Sequence, residues 1–118
     1  MSKILVILND PPYGTERCYN GLRLAHTLLK NDANAEVTIF LMADSVVCAK
    51  KGQKTPDGYY NVERMLKRVL TGKGGVLLCG TCMDARGLTD EEVMNGARRS
   101  TMGELTDNTL AADKVLVF

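Results

Sequence analysis

Apolar positions in this chain come in short runs, separated by segments with helical spacing. Lys3 to Leu8 is apolar after its first residue, the pattern of a strand buried on both faces. Pro11, Pro12 and Gly14 then force a turn, and Thr15 is the expected N-cap of a helix with Glu16 in its first turn. Cys18, Leu22, Ala25, Leu28 and Leu29 share one face of that helix, which should stop near Asn31-Asp32. Glu36 to Met42 predicts a second strand, and Ala43-Asp44-Ser45 opens a short helical segment carrying Cys48. Gly52 to Tyr60 is a loop rich in turn formers, basic and aromatic in character. Asn61 caps a helix with Val62, Met65, Leu66, Val69 and Leu70 on its buried face. Gly72-Lys73-Gly74-Gly75 breaks it, and Val76 to Cys79 is the third strand.

Cys79 to Gly87 reads as a loop. Thr89 and Glu92 match a capping box, which predicts a short helix through Met94. Ala97 to Ser100 is a short extra strand. Thr101 and Glu104 repeat the capping pattern before a helix to about Ala112, and Val115 to Phe118 is a terminal strand. Strands alternating with helices predict a parallel sheet covered on both faces. The expected fold is a three-layer α/β/α, flavodoxin-like domain with a mostly parallel five-stranded sheet, spanning residues 1–118 as a single domain. Right-handed crossovers bring the C-terminal strand ends to one edge, where open α/β sheets bind ligands. Asn9 to Thr15, Met42 to Cys48 and Cys79 to Gly87 should meet there.

The chain's 118 residues suit one domain, and assembly into an oligomer would add stability to so small a core. A formal net charge of +1 gives no electrostatic case for nucleic acid or an anionic membrane. No apolar run approaches the ~20 residues that span a bilayer. The N-terminal run is short for a signal peptide and lacks a small-residue cleavage site, so a cytoplasmic protein with reduced thiols is expected. Cys18, Cys48, Cys79 and Cys82 are therefore not read as a disulfide framework, and no dissociable cofactor is called for.

Cys79 and Cys82 are the one place where covalent chemistry is suggested. A thiol is nucleophilic as thiolate, and a free cysteine has a pKa of about 8.5. Backbone N–H groups along Gly80-Thr81-Cys82 and the permanent charge of Arg86 are expected to lower that value. Four readings compete. Cys79 can be a small buried hydrophobe beside an incidental Cys82. The pair can hold zinc, although one C-x-x-C supplies two of four structural ligands and only Cys48 and His26 remain as candidates. It can be a thioredoxin-like dithiol, although that motif opens a helix and Cys79 is expected to finish a strand. Or one thiolate can carry a persulfide and pass it on.

Asn-Asp-Pro-Pro-Tyr-Gly-Thr-Glu (9–16), Phe-Leu-Met-Ala-Asp (40–44), Gly-Gln-Lys (52–54), Leu-Cys-Gly-Thr-Cys-Met-Asp-Ala-Arg-Gly (78–87) and Ala-Asp-Lys-Val-Leu (112–116) resemble the DsrE/DsrF-like family, most closely its YchN-like branch. The resemblance runs over nearly the whole chain, in order and with similar spacing. It implies a compact α/β domain, assembly into homotrimers or hexamers, and kinship with subunits that relay sulfur. It implies Cys79 as the functional cysteine and Cys82 as the second cysteine of the YchN-like motif. The expected function is sulfur transfer on Cys79, helped by Cys82 as partner thiol and Arg86 as electrostatic aid, with other sulfur-relay proteins as candidate partners. The alternatives are a non-catalytic oligomeric binding or regulatory subunit, and a redox or metal sensor using Cys48, Cys79 and Cys82.

Asp10, Tyr13, Asp44 and Cys48 lie in the edge segments and are candidates to contact substrate. An aspartate at a strand end usually caps a turn, and packing is the commoner reading for Cys48. Cys18 reads as core, and His26 as a partly buried structural histidine. Gly72 to Gly75 precedes a strand, whereas a phosphate loop follows one and opens a helix. Tyr59 and Tyr60 can line a pocket or a subunit contact.

Overall fold

The computed structural model describes residues 2–118. The first strand, β1, is Lys3–Leu8, followed by α1 at Arg17–Asn31 and β2 at Glu36–Leu41. A 3₁₀ segment at Ala43–Ala49 and a short 3₁₀ turn at Pro56–Gly58 lead to α2 at Val62–Val69 and β3 at Val76–Cys79. Then come α3 at Gly80–Ala85, a 3₁₀ turn at Asp90–Glu92, β4 at Ala97–Ser100, α4 at Met102–Ala111 and β5 at Lys114–Val117.

The sheet runs β4-β3-β2-β1-β5, and every pair is parallel. The chain steps from β1 to β4 in one direction and then returns to the far side of β1. With right-handed crossovers, this reversal puts α4 on the face opposite α1 and α2. Packing agrees. Gly21 of α1 lies against Leu8 and Phe118, on one face of the sheet. Asn108 and Ala111 of α4 line a small cleft with Lys3, Leu5, Glu36 and Thr38, on the other. The expected α/β architecture with helices on both faces is thus present, with one long helix alone on its side.

The core follows from the apolar runs. Leu5, Val6 and Leu8 of β1, Val37, Ile39, Phe40 and Leu41 of β2, and Leu78 of β3 are fully buried or nearly so. On α1, Cys18, Leu22 and Ala25 are buried at helical spacing, and on α2 so are Val62, Leu66 and Val69. Asn61 caps α2 as expected, its side chain accepting the Arg64 N–H at 3.1 Å.

Three local expectations change. Thr15 does not cap α1, which begins at Arg17 after Glu16. The Thr15 hydroxyl instead donates to Asp10 at 2.8 Å and accepts the Arg17 N–H at 3.3 Å. The capping box at Thr89 and Glu92 is present, but the helix ends within one 3₁₀ turn because Val93 is already extended. Finally, the expected loop after Cys79 is a helix, α3.

Candidate functional site

Cys79 has two backbone roles. It closes β3, paired in register with Ser100 of β4, and it is the N-cap of α3. Its Sγ accepts the Cys82 N–H at 3.4 Å, a contact that satisfies one of the open donors of the first helical turn. The residue is 9% exposed, at the rim of the core. Cys82 sits one turn on and is half-buried, and its Sγ accepts the Ala43 N–H at 3.2 Å. Ala43 itself is left-handed, with φ 51°, where the chain leaves β2 for the 3₁₀ segment. The two thiols therefore link the ends of β2 and β3, as the edge geometry predicts.

The electrostatics differ from expectation. Burial, and then the adjacent Cys82 thiol, push the Cys79 thiol above its ordinary value. The backbone N–H groups of Cys82 and Thr81 pull it down without prevailing. Arg86 is engaged by other partners than the Cys79 thiol. Its Nε donates to Asp44 Oδ1 at 2.8 Å and its Nη1 to the Cys82 carbonyl at 3.1 Å. Arg86 and Asp44 thus form a partly exposed ion pair that ties the end of α3 to the 3₁₀ segment.

The remaining candidates separate from the thiol pair. Asp10 organises its own turn, accepting from Thr15 and lying 3.8 Å from the Arg17 guanidinium, while its carbonyl accepts the Cys18 thiol at 3.0 Å. Tyr13 is half-exposed, its hydroxyl donating to Gln53 Oε1 and receiving the Val62 N–H at 3.4 Å. It pins the loop after the 3₁₀ segment. Cys48 is fully buried and its thiol partner is Cys18. That contact, with burial, holds the Cys48 thiol far above the ordinary range. Cys48 is therefore placed as core beside Cys18.

The sequence profile of the DsrE/DsrF-like family matches residues 2–118. The chain belongs to the DsrE/DsrF-like family. It is 41% identical to Protein YchN of Escherichia coli strain K12 over 118 residues, all of both chains. It is 38% identical to an uncharacterized protein of Methanopyrus kandleri over 115 residues, 98% of this chain and 93% of the other. The crystal structure of YchN from E. coli superposes with a TM-score of 0.91 at 42% identity, covering both chains completely. A protein of unknown function from Methanobacterium thermoautotrophicum, 8% identical, superposes with a TM-score of 0.77 over the whole of both chains, a likeness of fold alone.

This DsrE/DsrF-like chain supports its site with residues that sequence reasoning passed over. Arg99 of β4 reaches across α3. Its Nη1 meets the Gly80 carbonyl at 3.1 Å and Asp84 at 3.0 Å, and its Nε meets Asp90 at 3.1 Å. A Cβ on Gly80 would lie 3.0 Å from this side chain and 3.1 Å from the Ser100 carbonyl, so the turn after Cys79 leaves little room beyond glycine. Beside Cys79, the buried Ser100 hydroxyl donates to Glu104, which also takes a paired contact from Arg98. Strand periodicity was the available signal for Arg99: in register it pairs with Leu78, one position before Cys79. Among the described residues, no helix is long and apolar enough to cross a membrane.

Proposed function

We propose that this protein carries sulfur as a persulfide on Cys79, with Cys82 as the partner thiol. One observation carries the reading. Cys79 caps a helix at the rim of the parallel sheet, and a second, more accessible thiol lies in contact with it. Membership of the DsrE/DsrF-like family supports sulfur handling as the general class. The Cys79 thiolate attacks the outer sulfur of a donor persulfide, giving Cys79–S–SH and releasing the donor as thiolate. Transfer onward is attack by an acceptor thiolate on that outer sulfur, with Cys79 as leaving group. Attack by Cys82 on the inner sulfur instead releases hydrosulfide and forms a Cys79–Cys82 disulfide. The protein acts as a homo-oligomer, trimer or hexamer, handing sulfur to other relay proteins.

The test is mass spectrometry after incubation with a persulfide donor. The tryptic peptide Gly74 to Arg86 holds both cysteines. It should gain about 32 Da in the Cys82→Ala protein and nothing in the Cys79→Ala protein. An adduct confined to Cys82, or none across several donors, overturns the proposal.

A second reading has its own support. Because α3 exists, the pair is a C-x-x-C at a helix start, the setting of dithiol redox motifs. A redox role predicts that the wild-type peptide loses about 2 Da under mild oxidants and that persulfide donors leave Cys82→Ala unmodified.

A further inference from the structure

A second concave site lies on the α1 and α2 side, built from residues that the thiol chemistry does not use. It has a volume of about 410 Å³ and lies between α1, the start of α2 and the turn at Asp57 to Tyr60. That is within the size range of small-ligand sites. Arg23 and His26 face it from α1 at i, i+3 spacing, and Arg64 and Arg68 from α2 at i, i+4 spacing. His26 is held in place by donating Nε2–H to the Met65 carbonyl at 2.9 Å, which ties the two helices together.

The arginines divide in an informative way. Arg17, Arg86, Arg98 and Arg99 are each within ion-pair distance of a carboxylate. The chain's other three, Arg23, Arg64 and Arg68, make no ion pair among the described residues, and all three line this cleft. Like charges at i, i+4 repel, so Arg64 and Arg68 oppose each other until an anion lies between them. Asp57 is the one carboxylate in the lining.

The same cleft holds a ladder of aromatic rings. Arg23 lies 5.5 Å over the Tyr19 ring, the Tyr19 and Tyr60 centroids are 4.1 Å apart, and Tyr59 meets Tyr60 edge-on at 4.7 Å. Tyr59 is 65% exposed, which leaves a ring face open. The turn that presents it is left-handed at Asp57, Gly58 and Tyr60, with φ 52°, 72° and 66°. For a tyrosine this is a strained conformation, of the kind that collects at ligand clamps. At Gly58 a Cβ would fall 2.1 Å from the Arg64 guanidinium, so glycine allows that arginine to lie against the turn.

Guanidinium forks without a carboxylate partner match phosphate oxygens, and a bare tyrosine face matches a flat heterocycle; of the three, Arg23 has one Nη1 engaged by Asn20 at 3.1 Å. We propose that this cleft binds a nucleoside 5′-phosphate, with Arg64, Arg68 and Arg23 on the phosphates and the base stacked on Tyr59. Asp57 is then an acceptor for the ribose hydroxyls. The site stands independently of Cys79.

Isothermal titration of the full-length protein with ADP, adenosine and pyrophosphate tests it. Saturable ADP binding is expected, with adenosine and pyrophosphate each at least tenfold weaker, because each lacks half of the recognition. The Arg64→Gln/Arg68→Gln double variant should weaken ADP about 30-fold, the loss of roughly one strong charge-assisted contact. Both positions are exposed, so folding is retained and circular dichroism checks it. Tyr59→Ala should weaken ADP about fivefold or more and leave pyrophosphate unchanged. No saturable ADP binding, pyrophosphate binding as tight as ADP, or ADP affinity unaltered by the double variant overturns the proposal. A Cys79→Ala protein should bind ADP as the wild type does, which separates this site from the sulfur reading.

Discussion

At Cys79, burial first and the Cys82 thiol second work against the backbone hydrogen bonds, and the thiol is pushed up. A raised thiol pKa means that the thiolate is scarce at neutral pH and grows as pH rises. Burial, the first cause, remains in the Cys82→Ala protein, so the alkylation rate of Cys79 there should keep climbing through pH 8.5, where an ordinary free thiol is already half-ionised. Rates followed with iodoacetamide from pH 6 to 10 check this, and a plateau below pH 8 contradicts it. Because Arg86 is engaged by Asp44, Arg86→Ala should leave that titration unchanged. Glu104 shows the opposite shift. Arg98 first, and Ser100 second, hold its carboxyl down to about 2 from the ordinary 4.5. Its contribution to stability is fully present above pH 4.5 and is lost as pH falls toward 2. The group is partly exposed, so the amount is about 1 kcal/mol after solvent screening. Glu104→Gln should flatten the acid limb of the stability curve in that window, as read from urea unfolding at each pH.

Among the elements, α3 depends most on distant help. It has only six residues, Gly80–Ala85, too few to be stable by helix propensity alone. Its anchors are Cys79 at the N-terminus, the Arg86–Asp44 pair at the other end, and Arg99 across its side. Arg99→Ala should leave the sheet intact but speed hydrogen exchange of the Asp84, Ala85 and Arg86 amides about fivefold, equivalent to roughly 1 kcal/mol of local stability. Unchanged exchange there would show that α3 does not need the clamp. The same element marks where the sequence stopped being readable. Four of the strands were legible because each is an apolar run bounded by turn formers, and the short Ala97–Ser100 strand, with two arginines at its centre, also fell where expected. Gly80-Thr81-Cys82 shows no helical period and opens with glycine, so nothing local predicts a helix there. In the site, the strand-end position of Cys79 and its proximity to Cys82 were legible from spacing. The Arg86–Asp44 and Arg99–Gly80 contacts were not, since each joins residues far apart in the chain. Cys48 looked like a site residue by position on the edge, and only packing against Cys18 assigns it to the core.

For the molecule as a whole, the asymmetry of the two faces argues for assembly. The α4 face has one long helix, and β5 lies at the sheet's edge, paired only with β1. Val115 and Val117 of β5 project on that thinly covered face, and Val117 remains 65% exposed. An edge strand with open backbone donors and exposed valines is a template for pairing, which monomeric proteins blunt with charges, prolines or bulges. Only Lys114 offers such protection here. The net charge of +1 adds little self-repulsion to oppose contact between copies. If copies of the chain assemble as proposed, the β5 edge is the surface on which the contact is expected. Val117→Lys should convert the wild-type oligomer to smaller species in size-exclusion chromatography with light scattering. It should leave circular dichroism unchanged, because the position contributes little to the protomer core. β3 is separated from β5 by β2 and β1, so the sulfur adduct on Cys79 should survive in this variant. A wild-type monomer, or an oligomer untouched by the lysine, would place the contact elsewhere and leave the bare edge of β5 without its explanation.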